Sequence, residues 1–161
     1  MRDPGKLPAR LVVDTGILLL PLTREKGWRI ARELLRLGEE GSIKLQTGLF
    51  NIAEMISVMY RMGYDRSLVL EYASLVYEKL ETINNIEYST WMGVLKAEAV
   101  EKKYNIPWGD ISSAASALTT ESPVVVLDND PHFKYLAKIA KDLERNIEVL
   151  RISSLRPFLA K

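Results

Sequence analysis

Apolar residues along this chain fall into two patterns: short continuous runs, and longer stretches in which they recur every three to four positions. Leu11-Val12-Val13 and Val124-Val125-Val126-Leu127 are β-rich runs bounded by polar or turn-forming residues, and they read as buried strands. Ile43-Lys44-Leu45, Asn85-Ile86-Glu87-Tyr88 and Ile147-Glu148-Val149-Leu150 are weaker strand candidates. Over 24–37, Trp28, Ala31, Leu34 and Leu35 share one face, Arg29, Arg32 and Arg36 share another, and Gly38 and Gly41 end the helix. Over 49–61 the stripe is Ile52, Met55, Ile56 and Met59, closed by Gly63. Asp65 predicts the N-cap of a helix to about residue 80 with Leu68, Tyr72, Leu75, Val76 and Leu80 inward. Thr90 caps a predicted helix to 104 with Val94, Ala97, Val100 and Tyr104 inward. A turn over 105–109 leads to Asp110 and an alanine- and serine-rich helix over 112–119. Pro131 suits a first helical position, and Phe133, Leu136, Ile139, Ala140 and Leu143 form the stripe that follows. Strands separated by helices predict an α/β protein with a largely parallel sheet. Residues 1–9, with Pro4, Gly5 and Pro8, read as a short lead-in, and 1–161 as a single domain.

Composition narrows the chemistry. Hydrophobic residues make 47% and charged residues 27% of the 161, an ordinary globular balance. There is no cysteine and one histidine, His132. A thiol nucleophile, a thiolate metal site and a histidine-rich cage are thereby excluded. His132 itself reads as a surface turn residue, with a minor substrate contact beside Asp130 left open. The apolar stretch 16–22 is too short to span a bilayer, so no membrane partner and a cytoplasmic location are expected. With 22 basic against 21 acidic residues the chain is no polycation, and a nucleic-acid partner would have to meet a local patch. Lys6, Arg10, Arg24, Lys26, Arg29, Arg32 and Arg36 concentrate positive charge in the first quarter. They read either as a phosphate-binding rim, carried by Arg24, Arg29 and Arg32, or as a solvated helix face.

What remains for chemistry is carboxylate. In an open parallel sheet, ligands bind outside the carboxyl ends of the strands. Asp14 ends the first strand, and Asp128 and Asp130 follow the valine strand. Asp110 heads a helix, and Glu54 sits one turn into an otherwise apolar one. Each has a local alternative. Asp14 and Asp110 suit helix caps, and Asp128 and Asp130 suit a turn. Glu54 needs a partner if buried, and Arg61 is a candidate. Taken together, carboxylates converging on one edge cannot all stay ionised, because like charges within about 4–6 Å raise one another's pKa. A hard divalent cation, Mg²⁺ or Mn²⁺, resolves that conflict through oxygen ligands and suits phosphoryl chemistry.

Four segments then resemble the motifs of PIN-domain nucleases, in family order and across essentially the whole chain. Leu11-Val12-Val13-Asp14-Thr15 resembles the first, a hydrophobic strand followed by Asp and Ser or Thr. Asn51-Ile52-Ala53-Glu54-Met55 resembles the second, and the segment 106–117 with Asp110 the third. The segment 124–133, a valine strand followed by Asp130 and Phe133, resembles the fourth. Gly16 stands where the family often has Ser or Asn, Asp128 where it commonly has Thr, and Ser113 at a commonly apolar position. The resemblance implies a three-layer α/β/α sandwich around a parallel sheet of about five strands. It implies a metal site of Asp14, Glu54, Asp110 and Asp130, joined by the extra carboxylate Asp128, with Thr15 and Asn51 orienting the acids. It also implies metal-dependent endonucleolytic cleavage of RNA, as in VapC-type toxins that pair with a small antitoxin and often form homodimers. The alternatives are an inactive PIN-like module that binds RNA or protein, and a PIN nuclease of RNA processing. A phosphoryl enzyme with an aspartyl nucleophile ranks below these, because Gly16 occupies the position where such enzymes carry a second Asp.

Overall fold

The computed structural model describes residues 5–159. Of the 1–9 lead-in, residues 1–4 lie outside the described chain, and 5–9 form no helix or strand. The elements run β1 (Arg10–Val13), α1 (Thr15–Thr23), α2 (Trp28–Glu39), β2 (Lys44–Gly48), α3 (Leu49–Arg61), α4 (Arg66–Lys79) and β3 (Glu81–Ile83). They continue with α5 (Ile86–Glu101), α6 (Trp108–Thr120), β4 (Val124–Val126), α7 (Phe133–Asp142), β5 (Val149–Arg151), a 3-10 turn (Ile152–Leu155) and α8 (Arg156–Leu159).

The five strands form one parallel sheet in the order β3-β2-β1-β4-β5. Leu11 lies opposite Leu45, Val12 opposite Val124 and Val13 opposite Val125. Strand alternation divides the core. Leu11, Val13 and Val125 pack with α1 to α4 on one face, while Val12, Val124 and Val126 pack with α5, α6 and α7 on the other. Helices on both faces explain why β1 and β4 are apolar without interruption. The chain runs outward from β1 to β3, then returns to place β4 on the other side of β1. The strand order therefore reverses between β1 and β4, and the crevice at their carboxyl ends is the place where such sheets bind ligands. No described helix is long and apolar enough to cross a membrane.

Several elements differ from the sequence expectation. The apolar stretch 16–22 is helix α1, which keeps Pro21 inside and ends with Arg24 at a φ of 56°. The predicted 24–37 helix accordingly begins only at Trp28, and Ile30, Ala31 and Leu34 are its buried residues. The predicted strand 85–88 is a helix start. Asn85 accepts a hydrogen bond from Tyr88 N at 2.8 Å and caps α5, and the strand lies just before it at Glu81–Ile83. Asparagine captures the backbone N–H three residues on, and this outweighs the alternation of a four-residue window. Thr90 lies inside that helix, its hydroxyl bonded to Ile86 O, and Tyr88, Leu95 and Ala99 are buried where Val100 is exposed. Asp65 caps α4 through Leu68 N as expected, but the buried stripe is Val69, Ala73 and Val76, with Leu68 and Leu75 exposed. Pro131 precedes α7 rather than opening it.

Candidate metal centre

Asp14 follows directly on β1 and holds the N-cap position of α1, yet its side chain makes no capping bond. Its Oδ1 accepts from Ser113 Oγ at 2.5 Å instead. The start of α1 is pressed onto the end of β4: a Cβ at residue 16 would come within 2.8 Å of Leu127 Cδ1. That contact gives Gly16 a steric reason in this chain.

Asp110 lies in the first turn of α6, where Pro107 takes the N-cap position, so the capping role does not fall to it. Its Oδ2 lies 2.6 Å from His132 Nδ1. Asp130 uses Oδ1 to accept from His132 N (2.8 Å) and Phe133 N (2.9 Å), which fixes the turn into α7. Asp110, Asp130 and His132 each bring one donor atom within 4.8 Å of the others. Glu54, half-buried on α3, lies against the backbone of Gly109, where any Cβ would fall onto both carboxylate oxygens. Its neighbour is thus the start of α6 and not Arg61, which is exposed at the end of α3.

Behind these acids runs a buried chain of hydrogen bonds. Ser112 Oγ donates to Asn51 Oδ1 (2.7 Å), so the hydrogen shared between Tyr88 OH and Ser112 Oγ (2.6 Å) comes from the tyrosine. Tyr88 OH in turn accepts from Phe50 N (3.3 Å). The Asn51 amide nitrogen faces Thr15 Oγ1 (2.9 Å), Gly109 O (3.0 Å) and Ser113 Oγ (3.0 Å), and Ser113 completes the path to Asp14. Gly48 leaves room for it, since a Cβ there would strike Ser112 Oγ. Thr15 and Asn51 therefore join the ends of β1, α3 and α6. The sequence marks Ser113 only as a polar residue at a commonly apolar position and gives Ser112 and Tyr88 no part in the site, because a serine in an Ala/Ser helix has no local pattern that marks its direction.

The electrostatics follow from this crowding. Burial pushes the Asp14 carboxyl well above the usual carboxylate range, with Asp110, Asp130 and Glu54 adding to it and the Ser113 bond opposing. Burial, then Asp130 and Glu54, push Asp110 up to about 7. Such a donor set fits a divalent cation, whose charge removes the penalty of holding these acids ionised together.

Asp128 is placed differently. Its carboxylate accepts from Ser153 N at 3.0 Å and from Ser153 Oγ, with Lys26 Nζ 4.0 Å away. Partial burial pushes its carboxyl up, but the two Ser153 bonds, helped by Lys26 and Arg151, hold it below the ordinary value. It anchors the loop after β4 to the C-terminal segment. Arg151 does the same through Leu127 O (3.0 Å) and Asp130 O (2.9 Å).

Of the basic residues, Arg24, Arg29 and Arg32 gather around the half-buried Trp28 ring at 5.3, 5.4 and 5.1 Å from its centre. Arg36 is taken up by Glu33 and Glu40. Lys26 connects this patch to the loop that carries Asp128 and Asp130.

The family model of the PIN domain matches residues 11–139. Nothing among curated proteins matches the chain. Its fold is similar to that of VapBC2 from Rickettsia felis bound to a DNA fragment from their promoter, at 16% identity and a TM-score of 0.64, covering 88% of this chain and 98% of that one. VapBC-1 from nontypeable Haemophilus influenzae gives 16% and 0.61, covering 89% and 98%. VapBC-5 from Mycobacterium tuberculosis, a member of the VapBC family of toxin-antitoxin systems, gives 19% and 0.56, covering 89% and 99%. At these identities the likeness is one of fold.

Proposed function

Since this chain belongs to the PIN domain family, we propose that it is a metal-dependent endoribonuclease that hydrolyses RNA phosphodiester bonds, and the toxin of a toxin–antitoxin pair. The observation that carries this reading is the nearness of Asp14 and Asp110 to further acids at one edge, where burial raises both carboxyls and the charges of Asp130 and Glu54 add to it. Acids held in that state gain most from a cation.

Asp14, Glu54, Asp110 and Asp130 hold Mg²⁺ or Mn²⁺ in this reading. The bound ion lowers the pKa of a water and stabilises charge on the phosphate. Ser113 orients Asp14 through its hydroxyl, and Asn51 fixes Thr15, Gly109 and Ser113 so that β1 and α6 keep their relative position. Asp130 orders the turn into α7. Arg24, Arg29 and Arg32 offer phosphate contacts, with the Trp28 ring among them as a stacking surface. The antitoxin partner is supported by the fold's likeness to VapBC proteins, and homodimer formation and a cytoplasmic location belong to the same proposal.

The test is cleavage of a labelled RNA with Mg²⁺ or Mn²⁺ by the intact chain and by Asp14→Asn and Asp110→Asn. Loss of cleavage in both folded variants is expected. Full activity in both sinks the assignment. Weak or absent Mn²⁺ binding in a calorimetric titration, together with no cleavage, moves the chain to the inactive binding module.

A further inference from the structure

The one histidine of the chain stands among the acids. His132 is held twice over: its backbone N–H is fixed by Asp130 and its ring nitrogen Nδ1 lies 2.6 Å from Asp110. Its side chain is 28% exposed where that of Asp110 is 14%, so the ring closes the outer side of the cluster. No feature of the local fold requires an imidazole there. The turn into α7 is secured by backbone groups and Asp130, and the His132 side chain makes no capping bond.

We propose, resting on the metal reading above, that His132 supplies an imidazole nitrogen to the same ion that Asp110 and Asp130 hold, and that this nitrogen makes the centre prefer Mn²⁺ to Mg²⁺. One donor atom from each of the three residues lies within 4.8 Å of the others. On an octahedral ion with ligands at ~2.1 Å, neighbouring ligand atoms lie ~3.0 Å apart and opposite ones ~4.2 Å, so the three are near enough to share one ion once they draw together around it. Both ions favour oxygen ligands, but Mg²⁺ gives up its waters reluctantly, and Mn²⁺, the first and weakest of the transition-row series, tolerates an imidazole nitrogen more readily than Mg²⁺ does. An all-carboxylate site has little means of telling the two ions apart, and one nitrogen supplies it. The competing role is positional, with the ring only bonding to Asp110 and never touching the ion.

Mn²⁺ titrated into the metal-free full chain, followed by electron paramagnetic resonance, separates the two roles. The bound ion is probed by electron spin echo envelope modulation for coupling to ¹⁴N. Modulation in the unaltered chain and its loss in His132→Asn are expected. Mn²⁺ affinity should fall on the order of tenfold or more, and Mg²⁺ affinity, measured by competition, should move much less. Asparagine suits a helix N-cap, and a thermal melt of the metal-free variant checks its fold. Bound Mn²⁺ without ¹⁴N coupling overturns the ligand role and leaves the carboxylate site standing. Equal losses for Mn²⁺ and Mg²⁺ overturn the preference. No Mn²⁺ binding at all by the unaltered chain overturns this proposal together with the metal reading beneath it.

Discussion

Ser113 donates its single hydroxyl hydrogen to Asp14 Oδ1 across 2.5 Å, joining two residues 99 positions apart in sequence. The bond is the last in the path from Phe50 N through Tyr88, Ser112 and Asn51, and it opposes the burial and repulsion that push Asp14 up. Ser113→Ala removes that opposition. We expect metal affinity to fall roughly 10- to 100-fold, the range for removing a group that orients a ligand, with a stability loss of about 1–3 kcal/mol for the buried partners left unmet. Calorimetric titration and urea unfolding read the two effects separately. An unchanged affinity would leave the serine a purely structural role.

The raised acids give the metal-free protein a pH dependence of definite sign. A carboxyl raised in the folded state binds more protons there than in the unfolded chain, between the unfolded value near ~4 and the folded one. Stability therefore declines as pH rises through that window, which for Asp110 closes at about 7. Because other acids slope the opposite way, as Asp128 does with its lowered carboxyl, the readout is a difference. Asp110→Asn should gain stability relative to the unaltered chain on going from pH 5 to pH 7.5 without metal. Millimolar Mn²⁺ should abolish that gain. Melting temperatures that run parallel across this range would refute the raised carboxyl.

Two glycines separate site geometry from backbone effects. At Gly109 a methyl group would fall on the Glu54 carboxylate, and the residue is buried. Gly109→Ala should lose most metal binding and cleavage and cost about 1–3 kcal/mol of stability. At Gly93, an exposed position of helix α5, a Cβ meets nothing within 4 Å. Gly93→Ala should leave activity intact and add about 0.5–1 kcal/mol. The pair is compared by thermal unfolding and RNA cleavage, and effects of the same sign would contradict the packing argument.

The arginines around Trp28 make a prediction about salt. Binding of a labelled single-stranded RNA is followed by fluorescence anisotropy against KCl in the Asp14→Asn background. Replacing Arg24, Arg29 and Arg32 together by Ala should weaken binding and flatten the log–log salt slope by about 0.7 for each phosphate no longer neutralised. A slope equal to that of the parent would return these residues to a solvated face that only packs on Trp28.

The sequence by itself determined what depends on neighbours a few positions away. The apolar runs at 11–13 and 124–126 carry their strands because both faces of the sheet are covered, and the strands deliver Asp14 and Asp130 to one edge whatever lies beyond. Asp65 marks the start of α4 because a cap is a contact of three residues. Even locally, pattern fails where two readings share one window. Asn85 caps a helix in a segment that alternates like a strand, and the inward face of α4 turns out to be Val69, Ala73 and Val76 because α3 packs from that side. Tertiary structure alone decided which acids meet which partners. The order β3-β2-β1-β4-β5 sets β4 beside β1, and α6 packs on their shared face with its first turns beside Asp14 and His132, so residues 14, 110 and 132 come together. The same arrangement turned Asp128 toward Ser153, and drew the lone histidine from an expected surface turn into contact with Asp110. No periodicity encodes those distances, because the directions of side chains separated by a hundred residues are fixed only once the sheet has closed its order.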